Sequence, residues 1–290
     1  MGSRLLNSPV SGSMNNEPMR KLAHLVLILA TSALMLSILH YLDRFLPHRW
    51  AEQSYFLGDL IIALLALGLI KFFIPRRLVM LRIPKFDLKL LLCLFVGLFI
   101  FSLNYSGFPL HLVSWRRSIW GIICLLGIGF AEELFSRGFV FNMLRKFGDW
   151  RAVWISSAAF GAMHIPYVHI AKANLMNTFI QVSNATAWGV VICGIYLITN
   201  SIWPCIIFHA FNDSMMFFEV KQSLPKPPTP GSIWPRLWWD FGSTLIFILI
   251  GAGLVYYGLL CEKRRVRTNQ IDPLVEDTFT NLTIPLKIEL

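Results

Sequence analysis

Glu132 and Glu133 stand side by side inside one of the most apolar stretches of the chain, between Ile122-Ile123-Cys124-Leu125-Leu126 and Leu134-Phe135-Ser136-Arg137. A carboxylate at bilayer depth costs several kcal/mol, so it must face a partner or a wet cavity and marks a candidate functional site. Glu133 and Arg137 are four residues apart, with the acid N-terminal, so on a helix they share a face and can pair. Pairing offsets part of the expense of burying both charges. Glu132 points about 100° away on the same helix and has no local cation. The competing structural reading, that acids only neutralise arginines for packing, therefore fits Glu133 better than Glu132.

Two further polar sets lie in later apolar segments. Phe160-Gly161-Ala162-Met163-His164 precedes Ile165-Pro166, which puts an imidazole near a helix end. Phe208-His209-Ala210-Phe211-Asn212-Asp213 places His209 and Asp213 at i and i+4, with Asn212 bordering the same face. Each alone is compatible with an interhelical hydrogen-bond cluster. A carboxylate, two imidazoles and an Asn/Asp pair on separate helices converge only in a bundle interior. That set suits water activation, with the carboxylate taking a proton and imidazole, amide or acid groups stabilising an oxyanion. It also suits a His, His, Glu zinc site. The chain has no H-E-x-x-H, no G-x-S-x-G and no G-x-G-D element.

The elements that must position these residues are membrane helices. At 56% hydrophobic residues and 14% charged, with a mean hydropathy of +0.60, the 290-residue chain lies far from soluble-domain composition. The predicted fold is all-α: a polytopic bundle of about eight transmembrane helices around a polar intramembrane site. The expected spans are 22–42, 55–73, 86–103, 119–144, 152–164, 175–199, 202–218 and 237–260. The fifth is too short to cross alone and reads as a half-helix or a Pro-kinked segment. The expected organisation is an N-terminal tail (1–21), a membrane domain (22–262) whose core is about 119–218, and a C-terminal tail (263–290).

Charge is informative about topology. The formal net charge is +10. Arg76, Arg77, Arg82, Lys85 and Lys89, then Arg145, Lys146 and Arg151, then Lys263, Arg264, Arg265 and Arg267 lie in alternate connections, which places both termini in the cytoplasm. No aromatic-interleaved basic patch sits on a soluble module, so nucleic acid is not an expected partner. Trp115, Trp120, Trp150, Trp154, Trp203, Trp234, Trp238 and Trp239 lie near span ends, as in an interfacial belt. The five cysteines form no C-x-x-C pair and read as small buried hydrophobes, with Cys261 a juxtamembrane candidate for acylation. Asn104, Asn184 and Asn281 head glycosylation triplets that arise readily by chance.

The ordered trio E-E-x-x-x-R, F-x-x-x-H and H-x-x-x-(N/D), each in its own membrane helix, resembles the CAAX protease and bacteriocin-processing family, whose eukaryotic members include the type II CAAX prenyl endopeptidase. The matching residues are Glu132, Glu133 and Arg137; Phe160 and His164; His209 and Asp213. The resemblance covers roughly 119–218. It implies intramembrane endoproteolysis of a membrane-embedded or lipidated peptide. By resemblance, Glu132 activates water with help from His164, His209 and Asp213 orient it or stabilise the oxyanion, and Glu133 and Arg137 brace the site. Family members have been described both with and without metal. The expectation here is no required cofactor, with zinc as the alternative. Ser136 stands where the family often has an aromatic residue. Asp213 stands where many members have Asn, which makes Asn212 a candidate substitute donor.

Two other functions remain open from sequence. One is a non-catalytic scaffold or bacteriocin-immunity protein that binds a partner membrane protein. The other is a carrier using the same groups as a proton relay, which the absence of internal repeats disfavours. The expected location is a bacterial cytoplasmic membrane.

Overall fold

The computed structural model describes residues 22–34, 51–105, 115–165, 175–216 and 233–267. Among them the fold is all-α, with no strand. Helices occupy the predicted segments: α1 (Leu22–Leu34), α2 (Ala51–Phe73), α3 (Leu88–Tyr105), α4 (Trp115–Glu133), α5 (Asp149–Ala162), α6 (Leu175–Thr199), α7 (Trp203–Asn212) and α8 (Ile233–Arg267). Four helical stretches are long and apolar enough to cross a membrane: Phe56–Phe73, Ser118–Phe147, Leu175–Thr199 and Trp238–Arg265. Shorter apolar helices cover Leu22–Leu34 and Leu88–Ser102. The chain is an integral membrane helix bundle. At 14 and 10 residues, α5 and α7 are too short to cross alone.

Helix α6 is the hub. It packs most extensively on α8 and next on α5, and its residues from Ala187 to Ile198 are buried. Apolar side chains gain little by leaving lipid for protein, so such contacts depend on close backbone approach at small residues. Gly194, Gly251 and Gly258 serve that purpose. A Cβ at Gly194 would meet the Leu254 Cβ at 2.5 Å, one at Gly251 the Val191 nitrogen at 2.8 Å, and one at Gly258 the Leu197 Cβ at 2.6 Å. Outward-facing Leu64, Phe95, Leu98, Leu245 and Leu249 are exposed, as lipid-facing residues are.

The expected fourth span contains a feature that hydropathy does not encode. After Glu133 the helix widens into a π-helix, Leu134–Phe141, every residue of which is buried. A π-turn leaves carbonyls poorly paired, and Asn142 compensates: its Nδ2 group donates to the carbonyls of Arg137 (2.8 Å) and Gly138 (3.1 Å) and to the Tyr196 hydroxyl (3.0 Å).

At the far end of this segment Arg145 clasps α8. Its Nη1 and Nη2 reach the two carboxylate oxygens of Glu262 at 2.9 and 2.6 Å, and its Nε donates to Asp149 at 2.7 Å. Helix α8 therefore continues to Arg267 rather than ending at Leu260. Cys261 lies inside it and is 4% exposed, which fits the reading of a small buried hydrophobe better than that of an acylation site. Asn184 lies within α6, half-buried, and its side-chain oxygen accepts a bond from Thr244. Asn281 and the C-terminal tail from 268 lie outside the described residues.

Candidate active site

The site forms where α4, α5 and α7 meet. Gly129 in α4 lies against α7: a Cβ there would stand 2.9 Å from the Ile206 carbonyl and 3.4 Å from the His209 Cβ. That close approach brings the next turn of α4, with its two glutamates, up to the imidazole of His209.

His209 is the centre of the arrangement. Its Nδ1 lies 2.6 Å from Glu133 Oε1. The same oxygen accepts from Arg137 Nη1 at 3.0 Å. A carboxylate oxygen already taken by a guanidinium acts as an acceptor here, so Nδ1 carries a proton. The opposite nitrogen, Nε2, faces Asp213 Oδ2 at 3.3 Å and Glu132 Oε2 at 3.6 Å. Glu133 is fully buried, and the Glu132 side chain retains 21% exposure. The two acids therefore differ in kind, one an internal brace and the other partly exposed beside His209.

Arg137 is 1% exposed. Its Nη2 donates to the Gly189 carbonyl of α6 at 3.3 Å, and its Cζ sits 4.5 Å above the Phe160 ring. Phe160 also touches both imidazoles edge-on, at centroid distances of 5.0 Å to His164 and 5.8 Å to His209. One ring thus packs against the cation and both histidines.

His164 lies in the turn that ends α5. Its Nδ1 is 3.0 Å from the Phe160 carbonyl, which can only accept, so the proton is on Nδ1 and the lone pair of the neutral ring is on Nε2. Asp213, in the 3-10 turn after α7, accepts from Asn212 Nδ2 at 3.2 Å through Oδ1. With Oδ2 turned to His209, both of its oxygens are acceptors.

A cavity of about 220 Å³ adjoins these groups. His164, His209, Asn212 and Asp213 line it together with Phe160. Gln181 of α6 and Ser243 of α8, which the sequence reading did not single out, and Asn184 of α6, read there only as a glycosylation triplet, add polar groups. Their signal was available as amide and hydroxyl residues within two otherwise apolar spans. Asp59 of α2 was also missed: it is only 7% exposed and interacts electrostatically with Glu132 and His209. It lines a second, almost wholly apolar cavity of about 340 Å³ with Phe56, Phe130 and Ile206. Among the described residues, no group of three or more His, Cys, Asp or Glu is arranged to hold a metal ion.

Residues 112–215 match the family model described as "Type II CAAX prenyl endopeptidase Rce1-like". The matched segment contains all three motifs and the whole cluster around His209, and it bears out the resemblance to the CAAX protease family. Comparisons with curated proteins and with solved structures gave no match.

Proposed function

We propose that the chain is an intramembrane endopeptidase that hydrolyses a peptide bond in a membrane-associated or lipidated substrate. The match of residues 112–215 to a CAAX prenyl endopeptidase-like family model supports the protease class. The observation that carries the mechanism is His209, bonded to Glu133 on one side and facing Glu132 and Asp213 on the other, at a polar cavity shared with His164.

In this reading Glu132 is the general base. It removes a proton from water as the water oxygen bonds to the scissile carbonyl carbon, whose π electrons move onto oxygen. His164 assists through Nε2. His209, oriented by Glu133 through Nδ1 and also protonated at Nε2 opposite Asp213, and the amide of Asn212 stabilise the developing negative charge. Collapse of the oxyanion breaks the C–N bond, and the proton held by Glu132 passes to the leaving nitrogen. Asp213 orients His209; with both oxygens accepting, it is a poor oxyanion donor. Glu133, Arg137 and Phe160 brace the imidazole. None of these steps requires a metal. Zinc is the alternative, and stoichiometric zinc in the purified protein together with zinc-dependent cleavage would establish it.

The proposed organisation is a membrane domain over 22–262, with its catalytic core at 119–218, between two tails. The three basic connections expected on the inner side meet at one end of the bundle, through the Arg145–Glu262 clasp and the approach of Arg265 to the 82–89 linker. We take that end to be cytoplasmic, with both termini there, in a bacterial membrane.

The test is cleavage in liposomes of a panel of quenched peptides, some C-terminally farnesylated, by the wild type and by Glu132→Ala and His209→Ala. Cleavage by the wild type alone, with both variants folded, supports the reading and names the substrate class. A wild type inert across the panel, with both variants still supporting the cellular phenotype, turns the assignment to a partner-binding scaffold.

A further inference from the structure

The basic end of the bundle is more than a topology signal. Positive residues scattered around a bundle end set orientation without forming a site. Here Arg82, Lys85 and Lys89 of the α2–α3 linker and the start of α3 converge with Arg265 of α8 on one cleft of about 550 Å³. Thr199, Asn200 and Ser201, in the turn between α6 and α7, supply polar groups to the same cleft. Asp87 is the one acid among its lining residues, and its Oδ1 is used to accept the Leu90 N–H at the start of α3.

The walls of the cleft are held in place. Ile202 N–H donates to the Met80 carbonyl at 3.0 Å, Trp203 Nε1 to the Leu81 carbonyl at 2.7 Å, and Ser201 Oγ to the Arg82 carbonyl at 2.9 Å. Arg265 donates to the Ile198 carbonyl at the end of α6. Asn200 takes the left-handed backbone conformation (φ 51°) that makes the α6–α7 turn tight enough for these bonds. Arg82 and Arg265 are thus tied to the α6–α7 turn, Lys89 is carried by α3, and Arg82 and Lys85 are exposed.

Apolar residues alternate with these cations along the linker. Ile83 is 84% exposed, Phe86 76% and Leu88 81%. A ligand with only an anionic head, such as free phosphate, gives such side chains nothing to contact. One that joins a phosphate to hydrocarbon satisfies both sets at once. The cleft also lies at the ends of two helices long and apolar enough to span, the ends that meet headgroups when such helices cross a bilayer.

We propose that the cleft bounded by Arg82, Lys85, Lys89 and Arg265 binds the phosphate headgroup of an anionic phospholipid, whose acyl chains lie against Ile83, Phe86 and Leu88. The site is separate from the cavity at His209 and does not depend on the chain being a protease.

Native mass spectrometry of the full chain in detergent tests this, with phosphatidylglycerol and phosphatidylcholine titrated in parallel and inorganic phosphate as competitor. Phosphatidylglycerol is expected to be retained in preference to phosphatidylcholine. Affinity should fall about fivefold for each cation removed in the series Lys85→Gln, then Lys85→Gln with Lys89→Gln, then with Arg82→Gln added. Arg151→Gln, on a different connection, should leave binding unchanged, and millimolar inorganic phosphate should not displace the lipid. Lys85→Gln changes an exposed side chain and reads out even if the triple variant fails to fold. Equal retention of both lipids, or undiminished retention in the Lys85 and double variants, overturns the proposal. Competition by inorganic phosphate at lipid-like affinity overturns it in favour of a soluble-anion site.

Discussion

His209 Nδ1 lies 2.6 Å from Glu133 Oε1, so the histidine of α7 is oriented by the fully buried member of the glutamate pair and not by the more exposed one. Glu133 holds Arg137 through the same oxygen. Replacing it separates charge from geometry. Glu133→Ala leaves a buried guanidinium uncompensated, and stability should fall by about 3–5 kcal/mol. Glu133→Gln keeps an oxygen that accepts from both neighbours and should fold markedly better. Thermal melts of the two proteins in one detergent check this; equal destabilisation would show that the acceptor oxygen is not what matters.

Glu132 lies 3.6 Å from His209 Nε2 and keeps 21% exposure, so its loss should affect chemistry more than folding. Glu132→Gln is expected to lower kcat by about 10²–10⁴-fold, the usual contribution of a positioned base, with little change in KM or melting temperature. Steady-state cleavage on the best panel substrate measures the split. A variant that raised KM alone would assign Glu132 to binding instead.

Phe160 contacts Arg137, His164 and His209 through one ring. Phe160→Leu keeps an apolar side chain but removes the cation–π contact, worth about 0.5–2 kcal/mol. Stability should drop within that range. Activity should drop further than stability explains, because both imidazoles lose the surface they rest on. The comparison is the activity of the folded fraction at a temperature well below the melt.

Gly129 sets the separation of α4 and α7. Gly129→Val pushes against the Ile206 backbone carbonyl, which cannot yield, and should move His209 away from both glutamates, so that activity is lost. Gly68 has nothing within 4 Å of its missing Cβ, and Gly68→Ala should be neutral or stabilise α2 by about 0.5–1 kcal/mol. Cleavage assays and melts on the pair separate a packing requirement from a general intolerance of larger residues.

Asn212 and Asp213 divide a role that the sequence left to either. With Asp213 accepting on both oxygens, Asn212→Ala should depress kcat through loss of an oxyanion donor. Asp213→Asn, which still offers an acceptor to His209, should retain more activity than Asp213→Ala. The reverse ranking of Asn212→Ala and Asp213→Asn would return the donor role to position 213.

Much of this site was legible in the sequence because intramembrane polarity is costly and therefore conspicuous. Glu132, Glu133, His164, His209 and Asp213 stood out against apolar neighbours, and the i, i+4 spacing of Glu133 and Arg137 predicted a pair that forms. The bond from His209 to Glu133 was not legible, since spacing describes faces of one helix and this contact joins two. Nor was the π-helix: Leu134–Phe141 has ordinary helical composition, and the widening is stabilised by Asn142 and Tyr196 from outside it. Asp59 escaped notice as a single acid near a span end, where acids are common. The end of α8 ran past its apolar stretch because Glu262 and Arg265 are tied to Arg145 and the Ile198 carbonyl, bonds that hydropathy cannot register.

The π-helix makes the helical stretch Ser118–Phe147 a cranked shaft. Relative to an α-helix, it slips the phase of the segment that follows, so the part carrying Glu132 is clocked toward α7 while the part ending at Arg145 is clocked toward α8. Deleting one residue from 134–141 would restore ordinary winding and turn one half against the other by about 100°. Either the glutamates would leave His209 or the Arg145 clasp would leave Glu262. The length of this segment, independent of its composition, is therefore itself a determinant of the site.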